Sequence, residues 1–416
     1  MGSVQKCAGL FYGKYDIIKK LWRDNMIPFA RVLNYGNTVL NISIKKIAGW
    51  QTSLYVLGSN NKLYVRGKST SGEYGTGSNV TDYSLDWHML RDDVDEFWVE
   101  DLTPGLIIKT TDNKWYCSGN VALVIPGVSN TNVFTDITAI IYSDGTDIAK
   151  FYTTRHGLYK ISTSGVVKVI SPVSFVQFGM GSTVPSTWTA LSHGAGPIDR
   201  VLDTNGNYAT WLLSTSGYLY RCGNDSTSAL ANNGTTLSVF TKLVLPGDAK
   251  CVDISCDALA YKCLTESGVL YSWGTNYYST ATPGSTESPG AVRTPTMVTN
   301  TLTYPVKKLY TSWNVVSYIG DNSNRLLCNG YNSPNMSAGA GSSLGTLVNY
   351  VPNIQSPGDS VIDYRVIDTI TACGNYASFI RIGQNVYGSG IGSYLHGGTS
   401  TTIYSKMTKI KMPWEE

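Results

Sequence analysis

One short pattern recurs along almost the whole chain and limits the folds open to it. In its clearest copy, Glu266–Asn276, the residues Val269, Tyr271 and Trp273 occupy alternate positions. Such alternation is typical of a β-strand, whose successive side chains point to opposite faces. The Ser-Gly pair before it predicts a tight turn, because Gly accepts the positive φ that hairpin turns require. With the apolar stretch 259–264 ahead of it, the unit is predicted to be a strand, a tight turn, a second strand, Gly and a polar loop.

The unit is identified seven times, at steps of 52, 43, 61, 51, 56 and 60 residues. The residue pairs at the centre of the copies are Leu63-Tyr64, Trp115-Tyr116, Leu158-Tyr159, Leu219-Tyr220, Leu270-Tyr271, Leu326-Leu327 and Val386-Tyr387. In the third copy Ser162 stands three residues after the pair, and in the other six that residue is a glycine: Gly67, Gly119, Gly223, Gly274, Gly330 and Gly390. A repeat of this length predicts a solenoid or a propeller. Seven copies of four strands predict an all-β fold, a seven-bladed β-propeller of four-stranded antiparallel blades.

The repeat resembles that of the regulator of chromosome condensation family. The resemblance rests on Gly-Val-Leu-Tyr-Ser-Trp-Gly-Thr-Asn at 268–276, and on Leu-Tyr-Val-Arg-Gly at 63–67 followed by Gly-Glu-Tyr-Gly-Thr-Gly at 72–77. It covers about residues 42 to 412 and implies a seven-bladed propeller. It implies no single activity, because the family includes nucleotide exchange factors, enzyme inhibitors and binding scaffolds.

Residues 1–40 lie outside the repeat, and residues 41–416 are predicted to form the propeller. Short apolar stretches joined by turns predict a β-hairpin in the first segment, which is too small to fold alone. The segment is similar to stretches at the head of bacteriophage virion proteins, which implies an anchor to the particle. Packing against the propeller's own side is the alternative. The residues expected to make the anchor contacts are Phe11, Tyr12, Leu21 and Trp22.

The composition of the chain limits the classes of partner that it is expected to bind. Charged residues make up 15% of the chain, against about 25% in a typical domain. The formal net charge is +3 and no basic stripe with interleaved aromatics is present, so nucleic-acid binding is not expected. No apolar run is long enough to predict a membrane span, and no secretory signal pattern opens the chain.

No pattern that carries catalysis or binds metal stands in the context it requires. Residues 341–345 fit the nucleophile-elbow pattern around Ser343, but no helical period follows them. The four histidines form no His-x-x-x-His pair, and the eight cysteines form no Cys-x-x-Cys. Cys117 and Cys328 share one repeat position and are interpreted as small buried hydrophobic residues. The acidic run 92–96 lacks the spacing of a calcium loop and is interpreted as a solvated loop. We therefore predict no cofactor, no metal and no catalytic residue, although two carboxylates of a glycosidase could come from distant blades.

Loops between the strands are the expected binding surface. The loops that follow the repeat Gly differ in sequence from copy to copy, so one frame would present varied chemistry. The stretch 179–197 carries Trp188 and His193 and is predicted to be an inserted binding loop, with a plain connector as the alternative. The other predicted rim residues are Tyr277, Tyr278, Tyr331 and Tyr394.

Three functions follow as hypotheses. In the first, the chain is a non-enzymatic bacteriophage virion protein, associated with tail or capsid, assembled in the host cytoplasm and carried in the virion. Its N-terminus would bind other virion proteins, and its propeller would bind virion proteins or a glycan or protein of the host surface. In the second it is a cellular regulator such as a nucleotide exchange factor. In the third it degrades polysaccharide.

Overall fold

The computed structural model describes residues 42–50, 52–99, 105–204, 209–225, 227–257, 260–276, 281, 290–299, 302–310, 316–331, 343–349, 364–373, 377–391 and 403–415. Within these ranges the chain forms seven four-stranded sheets, and every neighbouring pair of strands is antiparallel. Strand order in each sheet follows the chain. The prediction of an all-β, seven-bladed propeller is confirmed. The predicted anchor residues Phe11, Tyr12, Leu21 and Trp22 lie outside the described residues.

Each blade is one continuous stretch of chain. Blade one contains β1 (Ile44–Trp50), β2 (Ser53–Gly58), β3 (Leu63–Ser69) and β4 (Val80–Arg91). Blade two contains β5 (Val94–Trp98), β6 (Gly105–Thr110), β7 (Trp115–Gly119) and β8 (Thr131–Asp136). Blade three contains β9 (Lys150–Thr153), β10 (Leu158–Ile161), β11 (Val167–Ile170) and β12 (Thr189–Ala190). Blade four contains β13 (Ile198–Thr204), β14 (Ala209–Ser214), β15 (Leu219–Gly223) and β16 (Leu237–Leu243).

The other three blades follow the same order. Blade five contains β17 (Cys251–Asp257), β18 (Ala260–Thr265), β19 (Leu270–Asn276) and β20 (Gly290–Met297). Blade six contains β21 (Lys308–Tyr310), β22 (Val316–Gly320), β23 (Leu326–Tyr331) and β24 (Ser343–Asn349). Blade seven contains β25 (Thr369–Cys373), β26 (Ala377–Ile382), β27 (Asn385–Ile391) and β28 (Ile403–Ile410).

Helical segments in the described ranges are short. They are α1 (Thr138–Ile141) and the 3-10 turns Val176–Phe178, Pro246–Asp248 and Tyr364–Val366. None of the described helices is long and apolar enough to cross a membrane.

The ring has two distinct faces. First strands of neighbouring blades contact one another: β1 contacts β25, and β17 contacts β21. The first strand of each blade is therefore the one nearest the axis. Antiparallel order places the first-to-second turns and the third-to-fourth loops on one side, which we name the loop face. The second-to-third turns and the connections between blades lie on the other side, the hairpin face.

Blades one and seven close the ring through polar and apolar contacts. The backbone N–H of Gly49 donates to Thr371 Oγ1 at 2.8 Å, and Trp87 Nε1 donates to the carbonyl of Lys411 at 2.8 Å. Ile47 of β1 and Phe379 of β26 belong to one buried apolar cluster. Burial of apolar side chains on both faces of each sheet is the main stabilising term in such a ring.

The second-to-third turns share one geometry. In blade five the N–H of Thr265 donates to the carbonyl of Val269, and the N–H of Gly268 donates to the carbonyl of Thr265, both at 2.9 Å. This is a type I turn followed by a left-handed residue. The left-handed position is taken by Asn or Gly in blades one to six: Asn61, Asn113, Gly165, Gly217, Gly268 and Asn324.

The glycine of the repeat marks a β-bulge. The register between the third and fourth strands shifts at this residue in six blades: Gly67, Gly119, Gly223, Gly274, Gly330 and Gly390. Gly67 has φ +117°, and a Cβ there would press on the backbone of Thr52 and Ser53. A side chain is therefore excluded by both conformation and space.

Blade three corrects the predicted register of the third copy. Leu158-Tyr159 lies in β10, the second strand of its blade, whereas the other copies mark third strands. The true equivalent is β11, which follows the turn at Gly165. The third strands of blades one to four then begin at Leu63, Trp115, Val167 and Leu219, at equal steps of 52 residues. The irregular steps of 43 and 61 came from taking the wrong strand.

Candidate binding site

The third-to-fourth loop of blade one is held inward and packs on blade two. The carboxylate of Glu73 accepts hydrogen bonds from the N–H of Ser71 at 2.8 Å and of Thr70 at 3.2 Å. Its backbone carbonyl accepts from Ser118 Oγ of blade two at 2.8 Å. Gly77 N–H donates to the carbonyl of Asn132, in the outer strand of blade two, at 2.7 Å. The loop therefore ties two blades together.

The equivalent loop of blade four is built in the same way. The buried carboxylate of Asp225 accepts backbone N–H bonds at 2.6 to 2.8 Å from Leu230, Asn232 and Gly234. Trp273 Nε1 of blade five donates to the carbonyl of Ala229 in this loop at 3.1 Å. A carboxylate that satisfies several buried N–H groups fixes the loop conformation.

Blades two and three repeat this arrangement with apolar contacts. Val121 and Ile125, in the loop of blade two, pack with Phe151 and Leu158 of blade three. In blade three the 3-10 turn Val176–Phe178 packs against the strands of blade four. In the four blades whose loops the structure describes, these loops thus join blades instead of forming an open rim.

Trp188, predicted as a rim residue, lies in the core. Trp188 is 6% exposed, and its Nε1 donates a hydrogen bond to the carbonyl of Ile140 at 2.9 Å. The ammonium of Lys160 lies 4.3 Å from the centroid of the Trp188 ring, a cation–π distance. A side chain so enclosed presents almost no surface to a partner, and this differs from the accessible position expected.

Of the remaining predicted site residues, the structure describes the side chain of His193 and the backbone of Tyr331. His193 lies in the connection after β12, half-buried, where its Nδ1 accepts from the N–H of Ala195 at 3.2 Å and burial lowers the pKa of the imidazole. Tyr331 ends β23, and its backbone alone is described. Tyr277, Tyr278 and Tyr394 lie outside the described residues.

Beside Trp188, Asp144 holds two lysines. It accepts from the buried Lys160 Nζ at 2.6 Å and from Lys168 Nζ at 2.8 Å. Desolvation opposes its ionisation, but the hydrogen bonds from Lys160, Lys168 and Thr146 outweigh that effect and hold the pKa of Asp144 well below its usual range. The stretch 143–147 joins α1 to β9.

We expect Asp144→Asn to destabilise the protein by about 2 kcal/mol at neutral pH, because the buried Lys160 would lose the carboxylate that compensates its charge. A depressed folded pKa contributes stability above the unfolded pKa of about 3.9 and loses it as pH falls through the folded value. The difference between wild type and variant should therefore shrink on acidification. Thermal unfolding from pH 7 downward measures it. The exposed pair Asp112–Lys114 supplies the control Asp112→Asn, which should change little. A pH-independent difference for Asp144→Asn would contradict the ion pair.

Ion pairs link the first strands of neighbouring blades near the hairpin face. Lys45 Nζ lies 2.8 Å from Asp95 Oδ1, and Lys46 Nζ lies 3.2 Å from Glu96 Oε1. These two ion pairs link blade one to blade two. The same link joins blades three to four and four to five through Lys150–Asp199 and Arg200–Asp253. The acidic run 92–96 thus opens β5 and is paired with basic side chains, where a plain solvated loop had been expected. Among the described residues, no group of three His, Cys, Asp or Glu side chains could hold a metal ion.

A cavity of about 320 Å³ opens between blades two and three beside these pairs. Its aromatic wall is formed by Trp98, Trp115 and Phe151, with the Trp98 and Trp115 rings stacked at 5.0 Å and 16°. Tyr142, 39% exposed, stands at the cavity, and its hydroxyl accepts from Trp115 Nε1 at 3.1 Å. Ile148 and Ala149 also line the cavity, together with four charged side chains: Asp95, Glu96, Lys109 and Lys150.

A second cavity of about 230 Å³ adjoins the first along the inner strands. Trp98 and Phe151 line both cavities, so these two rings form a ridge between them. The second cavity also meets Tyr152, Arg200 and Val201. The site is not predicted from the sequence, because its residues come from β5, β6, β7 and β9 and meet only in the ring. Trp98, Trp115 and Phe151, each at or near a strand end, were the available signal.

A buried polar network lies between blades three and four. Asp203 accepts from the Tyr159 hydroxyl at 2.9 Å and from Thr154 Oγ1 at 3.0 Å, while His156 Nδ1 lies 3.4 Å from it. Desolvation raises the pKa of Tyr159 well above its usual value. The His156 and Asp203 side chains are 4% and 0% exposed, so this pair is buried where the two blades join. Asp203 also lines the second cavity.

The six described cysteines whose side chains are resolved are buried free thiols: Cys117, Cys222, Cys251, Cys256, Cys263 and Cys328. Burial raises the pKa of the Cys117 thiol to about 12. Cys117 and Cys328 are 0% exposed, which confirms that they fill space as small hydrophobic residues.

No protein-family model and no curated protein sequence matches the chain. Several solved structures match the chain. Human WBSCR16 superposes with a TM-score of 0.61 at 16% identity, over 80% of this chain and 85% of that one. Prp20p of Saccharomyces cerevisiae superposes with a TM-score of 0.64 at 13% identity, over 90% of each chain. Yeast RCC1 (Prp20) bound to Kap60 gives the same score over 89% of this chain and 84% of that one. At these identities the likeness shows the fold alone: the chain shares the seven-bladed propeller of RCC1-like proteins.

Proposed function

We propose that this chain is a non-enzymatic bacteriophage virion protein, in which residues 1–40 anchor a propeller that binds other virion proteins or the host surface. The observation that carries the binding role is the aromatic-lined cavity between blades two and three, which is framed by rigid strands. Prp20p, which has the same fold, was described with its binding to Gsp1p and histones. That fold suits recognition by a fixed surface. Support for the particle comes from the sequence of residues 1–40.

The carboxylates of the cavity favour binding over glycoside hydrolysis. A glycosidase needs one carboxyl with a raised pKa as general acid and a second across the cleft. Asp95 and Glu96 are chain neighbours on one strand, and both are engaged by lysines. The hydrogen bond from Lys45 lowers the pKa of Asp95, which is the opposite of what a general acid requires. This observation argues against polysaccharide degradation at this cavity.

Mass spectrometry of purified particles tests the proposed location. The particles should come from lysates of cells in which the chain is produced together with the phage structural proteins. We expect the chain to co-purify with the particle through a density gradient at a constant ratio to the major capsid protein. Its absence from the particle, or its complete release in a salt wash that leaves other virion proteins in place, would overturn the proposal.

Deletion of residues 1–40 is expected to leave the propeller folded and to abolish its incorporation into particles. The reason is that the repeat begins after this segment, and β1 opens blade one at Ile44. Circular dichroism and thermal unfolding report the fold, and particle mass spectrometry reports incorporation. An insoluble or unfolded truncation product would show that the segment completes the ring, and normal incorporation would show that the anchor lies elsewhere.

Nucleotide release from a panel of small GTPases, measured with the full chain, tests the alternative of an exchange factor.

A further inference from the structure

We infer that the cavity between blades two and three is a site for a neutral sugar unit of a glycan. This inference names the ligand class for the proposed binding role and rests on it. At about 320 Å³ the cavity lies at the small end of the range for ligand sites, roughly 300–1,000 Å³. The adjoining cavity beyond the Trp98–Phe151 ridge would receive a second unit of the same chain.

The wall of the cavity suits the apolar face of a sugar ring. Trp115 and Phe151 are 2% and 8% exposed, so they back the wall and hold it rigid. Trp98, stacked on Trp115, is the partly exposed ring in front of them. Pyranose rings carry C–H groups on one face, and an aromatic ring offers such groups a large flat contact. Tyr142 adds a second exposed ring whose hydroxyl can hydrogen-bond.

The polar edge of the cavity suits hydroxyl groups. Asp95 and Glu96 offer acceptors, while Lys109 and Lys150 offer donors. A sugar hydroxyl donates one hydrogen bond and accepts others, so a mixed edge can satisfy it. Lys109 is the least committed of the four, since its one ion pair, with Asp95, spans 3.5 Å. Its ammonium can turn to a ligand at small loss.

The charges argue against an ionic ligand. Lys46 lies 5.7 Å from the centroid of the Trp98 ring, so a cationic group stacking on that ring would meet an ammonium. An anion would meet the carboxylates of Asp95 and Glu96. Two acids and two bases line the cavity, so it carries no net charge to attract a charged peptide or nucleic acid. A neutral, polyhydroxylated ligand is the class that remains.

Saturation-transfer NMR and calorimetry with the purified full-length chain test the inference. The probes are maltotriose, cellotriose, the trimer of N-acetylglucosamine and lactose, with hexaglutamate and hexalysine peptides as charged comparators. We expect at least one neutral oligosaccharide to bind with a Kd in the micromolar to millimolar range, and its ring C–H protons to receive the strongest saturation. Neither peptide should bind.

Variants place the site. Lys109→Met removes an edge donor without touching the core, and Tyr142→Ala removes an exposed ring. Each should weaken sugar binding about fivefold to tenfold. The control is Tyr218→Ala in blade four. Tyr218 lies far from the cavity along the chain, and the Nζ of Lys242 lies 3.4 Å from the centroid of its ring. It should leave binding unchanged.

Three outcomes would overturn the inference: no sugar signal with any probe, preferential binding of a peptide, or equal weakening by the control. None of them bears on whether the chain is present in the particle, which mass spectrometry decides separately. Loss of the particle location with sugar binding retained would leave the cavity as a glycan site in a protein of another setting.

Discussion

Gly67→Ala should destabilise the propeller by about 3 kcal/mol or more, enough to lower its melting temperature by several degrees. Gly67 holds φ +117° at the bulge of blade one, a conformation that L-residues rarely adopt. An added Cβ would also lie 3.0 Å from Ser53 Cα and closer still to the carbonyl of Thr52. Both obstacles are backbone atoms of the paired strand, so a rotamer change cannot relieve them. Urea and thermal unfolding measure the effect.

Gly127→Ala separates the cost of a left-handed backbone conformation from the cost of a steric clash of the added Cβ. Gly127 has φ +74°, and nothing lies within 4 Å of an added Cβ. It should therefore lose about 1–2 kcal/mol, the left-handed penalty alone. Equal losses at Gly67 and Gly127 would show that the bulge has room for a side chain and that the repeat glycine has another purpose.

Trp273→Ala should be the most damaging core substitution, at about 3–5 kcal/mol. Trp273 is fully buried, stacks on Tyr261 at 5.9 Å and 5°, and lies 5.1 Å from Trp211 of blade four. Its Nε1 donates to the carbonyl of Ala229 in the loop of blade four. Truncation would leave a cavity between two blades and free that loop.

Trp273→Phe is the matched variant, because it keeps an aromatic ring and removes the N–H donor. It should lose less than Trp273→Ala, including about 1–3 kcal/mol for a carbonyl left unpaired. Hydrogen exchange of the amides of Leu230 and Asn232 would report whether the loop opens. Unchanged exchange in both variants would contradict the view that this loop is held by the neighbouring blade.

Blade number and turn chemistry could be predicted because they depend on local rules. The left-handed position of each turn requires Asn or Gly, and those residues stand out at Asn61, Asn113 and Gly268. The glycine of the repeat also stands out in the sequence by its constant distance from the strand pair, but the β-bulge that it forms was shown by the structure. Each feature is a property of a few adjacent residues.

The third copy shows where local reasoning fails. Leu158-Tyr159 has the apolar and aromatic character of a third strand, yet it is the second strand of its blade. The correct turn, at Gly165, precedes Val167-Lys168, in which lysine replaces the usual tyrosine. Blade three has no glycine of the repeat, and the pairing of β11 with β12 shows no register shift. A strict 52-residue spacing would have located the strand.

The loops show a second limit. Their varied sequences were interpreted as a rim open to partners, but in blades one to four they pack on the next blade. Whether a polar loop meets solvent or a neighbouring blade depends on residues about fifty positions away. Trp188 is enclosed by contacts with Ile140 of α1, which precedes blade three, and with Lys160 of β10.

The amino-acid sequence by itself determined the strands, the turns and the number of blades, because alternation and left-handed glycine or asparagine act over a few residues. Only the tertiary structure decided which side chains face one another across a seam between blades. Packing of neighbouring blades brings Trp98, Trp115 and Phe151 to one cavity, pairs its carboxylates with lysines of β1 and β6, and places the loops against the next blade. Those distances are set by packing between sheets, which no local pattern encodes.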